Sequence, residues 1–276
     1  MIDGEGPLAV LIDSHCHLDM PHFDKDRDEV VARARDAGVV AMVTQGVDVS
    51  SSRKAIALAD RYPEVYAAVG IHPNDCANFQ SDWLENIRAM AVHPKVVAIG
   101  EIGLDDYWKT VPMDQQLRVL RLQLDLAAEL GLPVVLHDRE AHGPMMAELR
   151  VWVKERLPGT PLARRPWPGV LHSFSGDLAM AQEAYDLGFV LGLAGPVTFK
   201  NARNLQALAK QLDPGRLMLE TDSPYLTPHP FRGRRNEPAR VKLVAEKLAE
   251  LWEMPFEEAA SRTTATARTF FNLPIS

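Results

Sequence analysis

Residues 113–137 read MDQQLRVLRLQLDLAAELGLPVVLH. Over Met113–Leu130, Leu117, Leu120, Leu124 and Ala127 recur at the three- and four-residue spacing of one helical face. Gly131 and then Pro133 mark the end of that helix, as a C-terminal glycine and a following proline should. Pro133–Leu136 is a short apolar run of strand length, and His137 stands directly behind it. One amphipathic helix and one buried strand make up the repeating unit of the chain, and here an ionisable residue stands at the strand's end.

The unit recurs in both directions. Strands are expected at Ala9–Asp13, Val39–Thr44, Val65–Val69, Val96–Gly100, Pro133–Leu136, Gly169–Leu171, Phe189–Leu193 and Leu217–Leu219. Their nearly continuous apolar character suits strands covered on both faces. Helical spacing predicts helices over Asp24–Ala37, Ser50–Arg61, Asp82–Ala91, Met113–Leu130, Ala141–Leu157, Asp177–Leu187, Asn201–Gln211 and Glu237–Trp252, with a last one over Pro255–Phe271. The positions behind the strands, His17, Thr44, Gly70, Glu101, His137, His172, Leu193 and Asp222, are 21 to 36 residues apart, and a βα unit takes about thirty. Eight alternating pairs point to an α/β fold, a closed parallel TIM (β/α)8 barrel in a single domain over 9–276 behind a short N-terminal tail over 1–8. The alternative is an open doubly wound sheet, but no glycine-rich phosphate fingerprint follows the first strand.

Composition limits the partners. The formal net charge of −7 gives no broad basic face for nucleic acid, so any such substrate must be gripped locally by a few arginines and by metal. Cys16 and Cys76 are the only cysteines, which makes no disulfide framework and fits a reducing compartment. Cys16, between two histidines on a strand, should point away from them into the core. Met1–Pro7 lacks the features of a signal peptide, and no apolar stretch approaches the ~18 residues of a membrane span. A soluble cytoplasmic protein is expected, without membrane contact and with a monomer favoured.

In such barrels active sites lie at the C-terminal ends of the strands. Of nine histidines, His15, His17, His72, His137 and His172 fall at predicted strand ends, with Glu101 after strand four and Asp222 after strand eight. His15 and His17 alternate on one strand face and can share a cation. Glu101, in GEIGLDDYW, can bridge two cations or form a buried ion pair. Asp222, in ETDSPYL, can bind metal and accept a proton from water, with Glu220 as its candidate supporting carboxylate. Ser173, Ser175 and Gly176 are expected to cap the helix near Asp177. His72 contacts substrate or supports its neighbours. Arg139 pairs with Asp138 or Glu140, or orients a phosphate. Arg232, Arg234 and Arg235 are either a solvated charge run or a phosphate grip. Tyr107 and Trp108 stack on a base or pack their loop.

Together DSHCHLD, GIHP, GEIGLD, LHDRE, HSFSG and TDSPYL, followed by RGRRNEP, resemble the TatD family of metal-dependent hydrolases, in order from Ile12 to near Phe271. The resemblance implies a TIM barrel, two divalent cations (Mg, Mn or Zn) and DNase-type activity on single-stranded DNA or strand ends, in a 3'-5' exonuclease-like manner. It implies that His15, His17 and Asp222 hold the first cation, that Glu101 bridges, and that His137 and His172 hold the second, with Asp222 and Glu101 as catalytic carboxylates. The chain departs from the usual pattern at Ser173, where cysteine is common, at Trp108, where a basic residue is common, and in the ARRPWP loop at Ala163–Pro168. Two rival readings are hydrolysis of an amide or ester in a small molecule or aminoacyl group, and a metal-stabilised scaffold without catalysis.

Overall fold

The computed structural model describes residues 10–275, so the expected tail over 1–8, Ala9 at the start of the first strand and Ser276 lie outside the described residues. Eight strands pair in parallel in the order of the sequence: β1 Leu11–Cys16, β2 Val39–Gln45, β3 Val65–Val69, β4 Val96–Asp105, β5 Val134–Arg139, β6 Gly169–Leu171, β7 Val190–Leu193 and β8 Leu217–Leu219. Between them run α1 Arg27–Asp36, α2 Val49–Arg61, α3 Ser81–Ala91, α4 Met113–Leu130, α5 His142–Val151, α6 Leu178–Asp186, α7 Arg203–Ala209 and α8 Val241–Trp252, followed by α9 Phe256–Phe271. This is the TIM barrel that the helix–strand rhythm predicts. α4 has the expected bounds, and Gly131 ends it with a left-handed φ of 72°.

Three strands run further than their apolar runs suggest. β1 extends to Cys16, β5 to Arg139 and β4 to Asp105. Polar side chains hid these extensions, but pairing continues through Gly103 with His137, Leu104 with Asp138 and Asp105 with Arg139. The approach at Gly103 is close: a Cβ there would meet the His137 carbonyl oxygen at 1.9 Å, and its φ is +150°. Only glycine fits, and the ladder therefore carries Glu101 and Asp105 inside the strand. α5 also departs from expectation: after Val151 it loosens into a π turn over Trp152–Arg156, anchored by the fully buried Trp152.

Two apolar layers hold the barrel. One lies between strands and helices and includes Leu120 and Leu124 of the α4 stripe. The other gathers residues from all eight strands, among them Ile12, Val43, Val135 and Met218, together with Ala267, Phe270 and Phe271 of α9. The last helix thus packs against the inner apolar side chains at one end. Closure between β1 and the segment behind β8 is made by hydrogen bonds over about 205 residues of sequence, beginning with the Ser14 hydroxyl donating to Leu219 O at 2.8 Å. The amides of Asp222 and His17 add bonds of 2.8 Å to His15 O and Ser223 O. Buried Asp13 accepts from Thr221 N at 2.8 Å and from its hydroxyl at 2.6 Å; burial raises the Asp13 carboxyl to about 8, against the opposing pull of those Thr221 bonds.

Candidate metal centre

The six expected ligand residues meet at one end of the barrel. His15 and His17 project from the same face of β1, with their Nε2 atoms 3.3 Å apart. The intervening Cys16 points the other way, is buried, and has its sulfur 3.5 Å from Val43 O. Asp222 Oδ1 lies 3.7 Å from His15 Nε2 and 3.4 Å from His17 Nε2. Its backbone φ of 52° lies in the left-handed region, where an aspartate is tolerated better than a bulkier residue. This conformation, with the Asp222 N–H bonded to His15 O, sets the carboxylate beside the pair. Closing the barrel and assembling this triad are one event, because the hydrogen bonds that join β1 to the chain after β8 come from the same residues.

Glu101 occupies the centre. Its Oε2 is 3.4 Å from His15 Nε2 and 3.5 Å from His17 Nε2, while its Oε1 is 2.9 Å from both His137 Nδ1 and His172 Nε2. The carboxylate therefore faces both halves of the cluster. Three overlapping groups have donor atoms within 4.8 Å of one another: His15, His17 and Asp222; His15, Glu101 and His172; His72, Glu101 and His137. His172 stacks on His15 with ring centroids 3.9 Å apart and has Nε2 3.4 Å from His137 Nδ1. Ring nitrogens this close repel through their lone pairs unless a proton or a cation stands between them. Imidazole and carboxylate donors without thiolate suit zinc and the harder divalent ions alike.

The charges are strongly coupled. Burial presses His17 down, but Asp222 and Glu101 outweigh it and raise the imidazole to about 9. Burial likewise opposes His172, which Glu101 and then Glu220 lift well above the usual range. His15 is lowered, by burial first and by His172 second. Burial would raise Glu101 and Asp222, yet the surrounding imidazoles hold both below the ordinary carboxylate value.

Supporting contacts surround the cluster, and one of them, at Asp105, is not singled out by the sequence. Asp105, the last residue of the GEIGLD run, takes His137 Nε2 at 3.0 Å on Oδ2, where Asn74 Nδ2 also donates at 3.0 Å. Its burial and its hydrogen bond to His137 act in opposite directions on the carboxyl, and the net shift is downward. Glu220, expected as a supporting carboxylate, stands beside His172: its Oε1 accepts the Ser173 N–H and lies 3.6 Å from His172 Nδ1. Gly192 makes room for it, since a Cβ there would meet Glu220 Oε2 at 2.4 Å. The cap of α6 is the Asp177 side chain, accepting from Met180 N at 2.9 Å, in place of the preceding serines.

The remaining expected residues divide. His72 is at the cluster, with Nε2 3.7 Å from Glu101 Oε1 and Nδ1 accepting the Asn74 N–H at 3.1 Å. Arg139 pairs with neither expected acid; its guanidinium lies 4.0 Å over the Tyr107 ring and 5.5 Å from the Trp108 ring. Arg232 sits 4.0 Å over Phe199. Arg232 and Arg234 are exposed and, with Tyr225 and His22, line a groove of about 500 Å³. Arg235 also borders that groove, but its guanidinium is engaged by Asp26, with two contacts of 2.7 Å. Arg235 thereby ties its loop to the start of α1.

A (β/α)8 barrel that gathers the imidazoles of His15, His17, His137 and His172 and the Asp222 carboxylate around the buried Glu101 defines a metal-dependent hydrolase. The profile of the TatD related DNase family matches residues 12–272, and the chain belongs to that family. It is 41% identical over 264 residues, covering 96% of this chain and 100% of the relative, to the uncharacterized metal-dependent hydrolase YabD of Bacillus subtilis. It is 35% identical over 271 residues, covering 96% of this chain and 99% of the relative, to the 3'-5' ssDNA/RNA exonuclease TatD of Klebsiella pneumoniae. The crystal structure of the TatD homologue YjjV of Escherichia coli superposes with a TM-score of 0.88 at 33% identity, covering 97% of this chain and 100% of that one.

Proposed function

We propose that the protein is a two-cation phosphodiesterase that removes nucleotides from the 3' end of single-stranded nucleic acid. The observation that carries this reading is Glu101, whose two oxygens face two sets of imidazoles at 2.9 to 3.5 Å. His15, His17 and Asp222 would hold one divalent cation, His137 and His172 the other, with Glu101 shared. When bound, such cations neutralise phosphate oxygens and make water more acidic.

The chain's own groups supply the rest. Asp222, held below the ordinary carboxylate range, is the proton acceptor at Oδ1. His72 accepts the Asn74 N–H at Nδ1, so its own proton sits on Nε2 facing Glu101. Burial lowers this imidazole to about 3, which keeps it a neutral N–H donor for a phosphate oxygen. Asp105 and Glu220 orient His137 and His172. Arg232 and Arg234 would meet the phosphates beyond the scissile bond. No helix among the described residues is long and apolar enough to cross a membrane, and both cysteines are free and buried.

The test is release of mononucleotides from 3'-labelled and 5'-labelled single-stranded DNA and RNA, after chelation and return of Mg, Mn or Zn. Cation-dependent shortening from the 3' end by the parent, and its loss in Asp222→Asn, is expected. A parent that leaves both nucleic acids intact with every cation overturns the reading, and cleavage of aminoacyl esters instead would favour the amide-or-ester alternative.

A further inference from the structure

We propose that Tyr107, Trp108 and Arg139 form a stacking platform for the base of a nucleotide beside the one being removed, an inference that rests on the nuclease reading above. Residues 106–110 form an exposed segment directly behind the buried Asp105. In it Tyr107 is 46% and Trp108 59% exposed, whereas Trp152 is fully buried. Single exposed aromatics are ordinary; these two are adjacent, with ring centroids 5.0 Å apart and planes at 88°. The Arg139 guanidinium caps the pair, and Lys109 is also exposed. A π surface flanked by cations is complementary to a base and its phosphate, even with Asp106 and Glu140 nearby and exposed.

The platform is attached to the chemistry. Asp105 Oδ1 accepts the backbone N–H groups of Tyr107 and Trp108, each at 2.9 Å, while Oδ2 of the same carboxylate holds His137. Arg139 enters from the other side, two residues beyond His137 on β5, and its carbonyl accepts the Asp106 N–H at 2.9 Å. One carboxylate thus sets both a candidate cation ligand and the aromatic pair. Arg139 lies over Tyr107 and reaches Trp108 only at 5.5 Å, so the indole keeps 59% of its surface open to solvent, enough for a base to stack against. Every base has a π face, so the platform selects unpaired strands without selecting sequence.

The experiment compares a short oligothymidylate with the same length of abasic strand. Trp108→Ala should raise KM for the oligothymidylate about ten-fold or more, in line with loss of one base–aromatic stack, and change KM for the abasic strand less than about two-fold. Trp108→Phe should restore most of the loss, and Arg139→Ala should show a smaller base-dependent loss. In parallel, the anisotropy of labelled, uncut oligothymidylate is followed on Asp222→Asn with and without Trp108→Ala, so that binding is read whether or not cleavage occurs. Equal KM values in parent and Trp108→Ala would overturn the platform and leave the nuclease reading standing. A parent without cleavage would overturn that reading, and the platform falls with it if Asp222→Asn binds no strand or binds equally without Trp108.

Discussion

The two ends of the barrel are built from the same strands and obey opposite rules. At one end the apolar side chains of Ile12, Val43, Val135 and Met218 form one cluster with Phe270 and Phe271 of α9. At the other, His15, His17, Glu101 and His172 are almost as deeply buried but polar, and they crowd nitrogen against nitrogen and oxygen at 2.9 to 3.7 Å. Burial stabilises the first end through loss of apolar surface from water. The second end is a concentration of ionisable groups for which burial is unfavourable unless protons or cations balance it. Strand ends can bear such a cost because the apolar end and the surrounding helices supply the stability.

That contrast can be broken most sharply at Asp222. Asp222→Asn should lower cation-dependent cleavage by on the order of 10²–10⁴ while the circular dichroism spectrum stays that of the parent; near-parent rates would remove Asp222 from the chemistry. At the apolar end, Phe270→Ala should cost about 3–5 kcal/mol of stability and lower the melting temperature by roughly 10 °C. Cation affinity in the still-folded protein should be unchanged, and a parallel loss of affinity would show that the two ends are not independent. Asp105→Asn tests a support rather than a ligand: a drop of about 10–100-fold in cation affinity is expected by calorimetry, with the melting temperature in chelator near that of the parent.

Proton balance sharpens the comparison further. His17 is raised to about 9, chiefly by Asp222 and Glu101 against the pull of burial. A group raised above its unfolded value of about 6.5 contributes stability below that pH and loses it as pH rises through 9. The chelated protein should therefore lose stability between pH 6.5 and 9. The same proton must leave before Nε2 can accept a cation, so cation affinity should climb by up to about ten-fold per pH unit over that window. Thermal melts with chelator and with Mn, at several pH values, should diverge as pH rises; parallel curves would contradict the coupling.

The smallest effect is expected at Arg235. Arg235 and Asp26 are about one-third exposed, so Arg235→Ala should cost at most about 1 kcal/mol, with little change in KM for single-stranded DNA. A large rise in KM would return Arg235 to the substrate grip. Asp26 is lowered to about 2, by Arg235 first. Its contribution is present above the ordinary aspartate value and fades only as pH falls through 2.

The fold was legible because apolar periodicity is a local property. The α4 stripe with its Gly131 stop, and runs such as Val65–Val69, need no distant partner to be read. The candidate ligands were legible because ionisable residues directly behind buried strands are costly anywhere but at a site. What stayed hidden depends on contact across the chain. Asp105 lies beyond the apolar run of its strand and only pairing with β5 draws it into β4, and Glu220 serves His172 because Gly192 leaves the space. Arg235 reads as part of a basic triplet, yet its partner is 209 residues away.

The amino-acid order alone thus determined the eight-fold α/β rhythm, the end of the barrel where chemistry would lie and the ionisable side chains that gather there, since each follows from spacing and side-chain type. Tertiary structure alone decided how far the strands run, which carboxylate steadies which imidazole, and that one arginine of three is tied to α1. Those outcomes turn on ångström-scale approaches between segments far apart in the chain, and no local pattern encodes such distances.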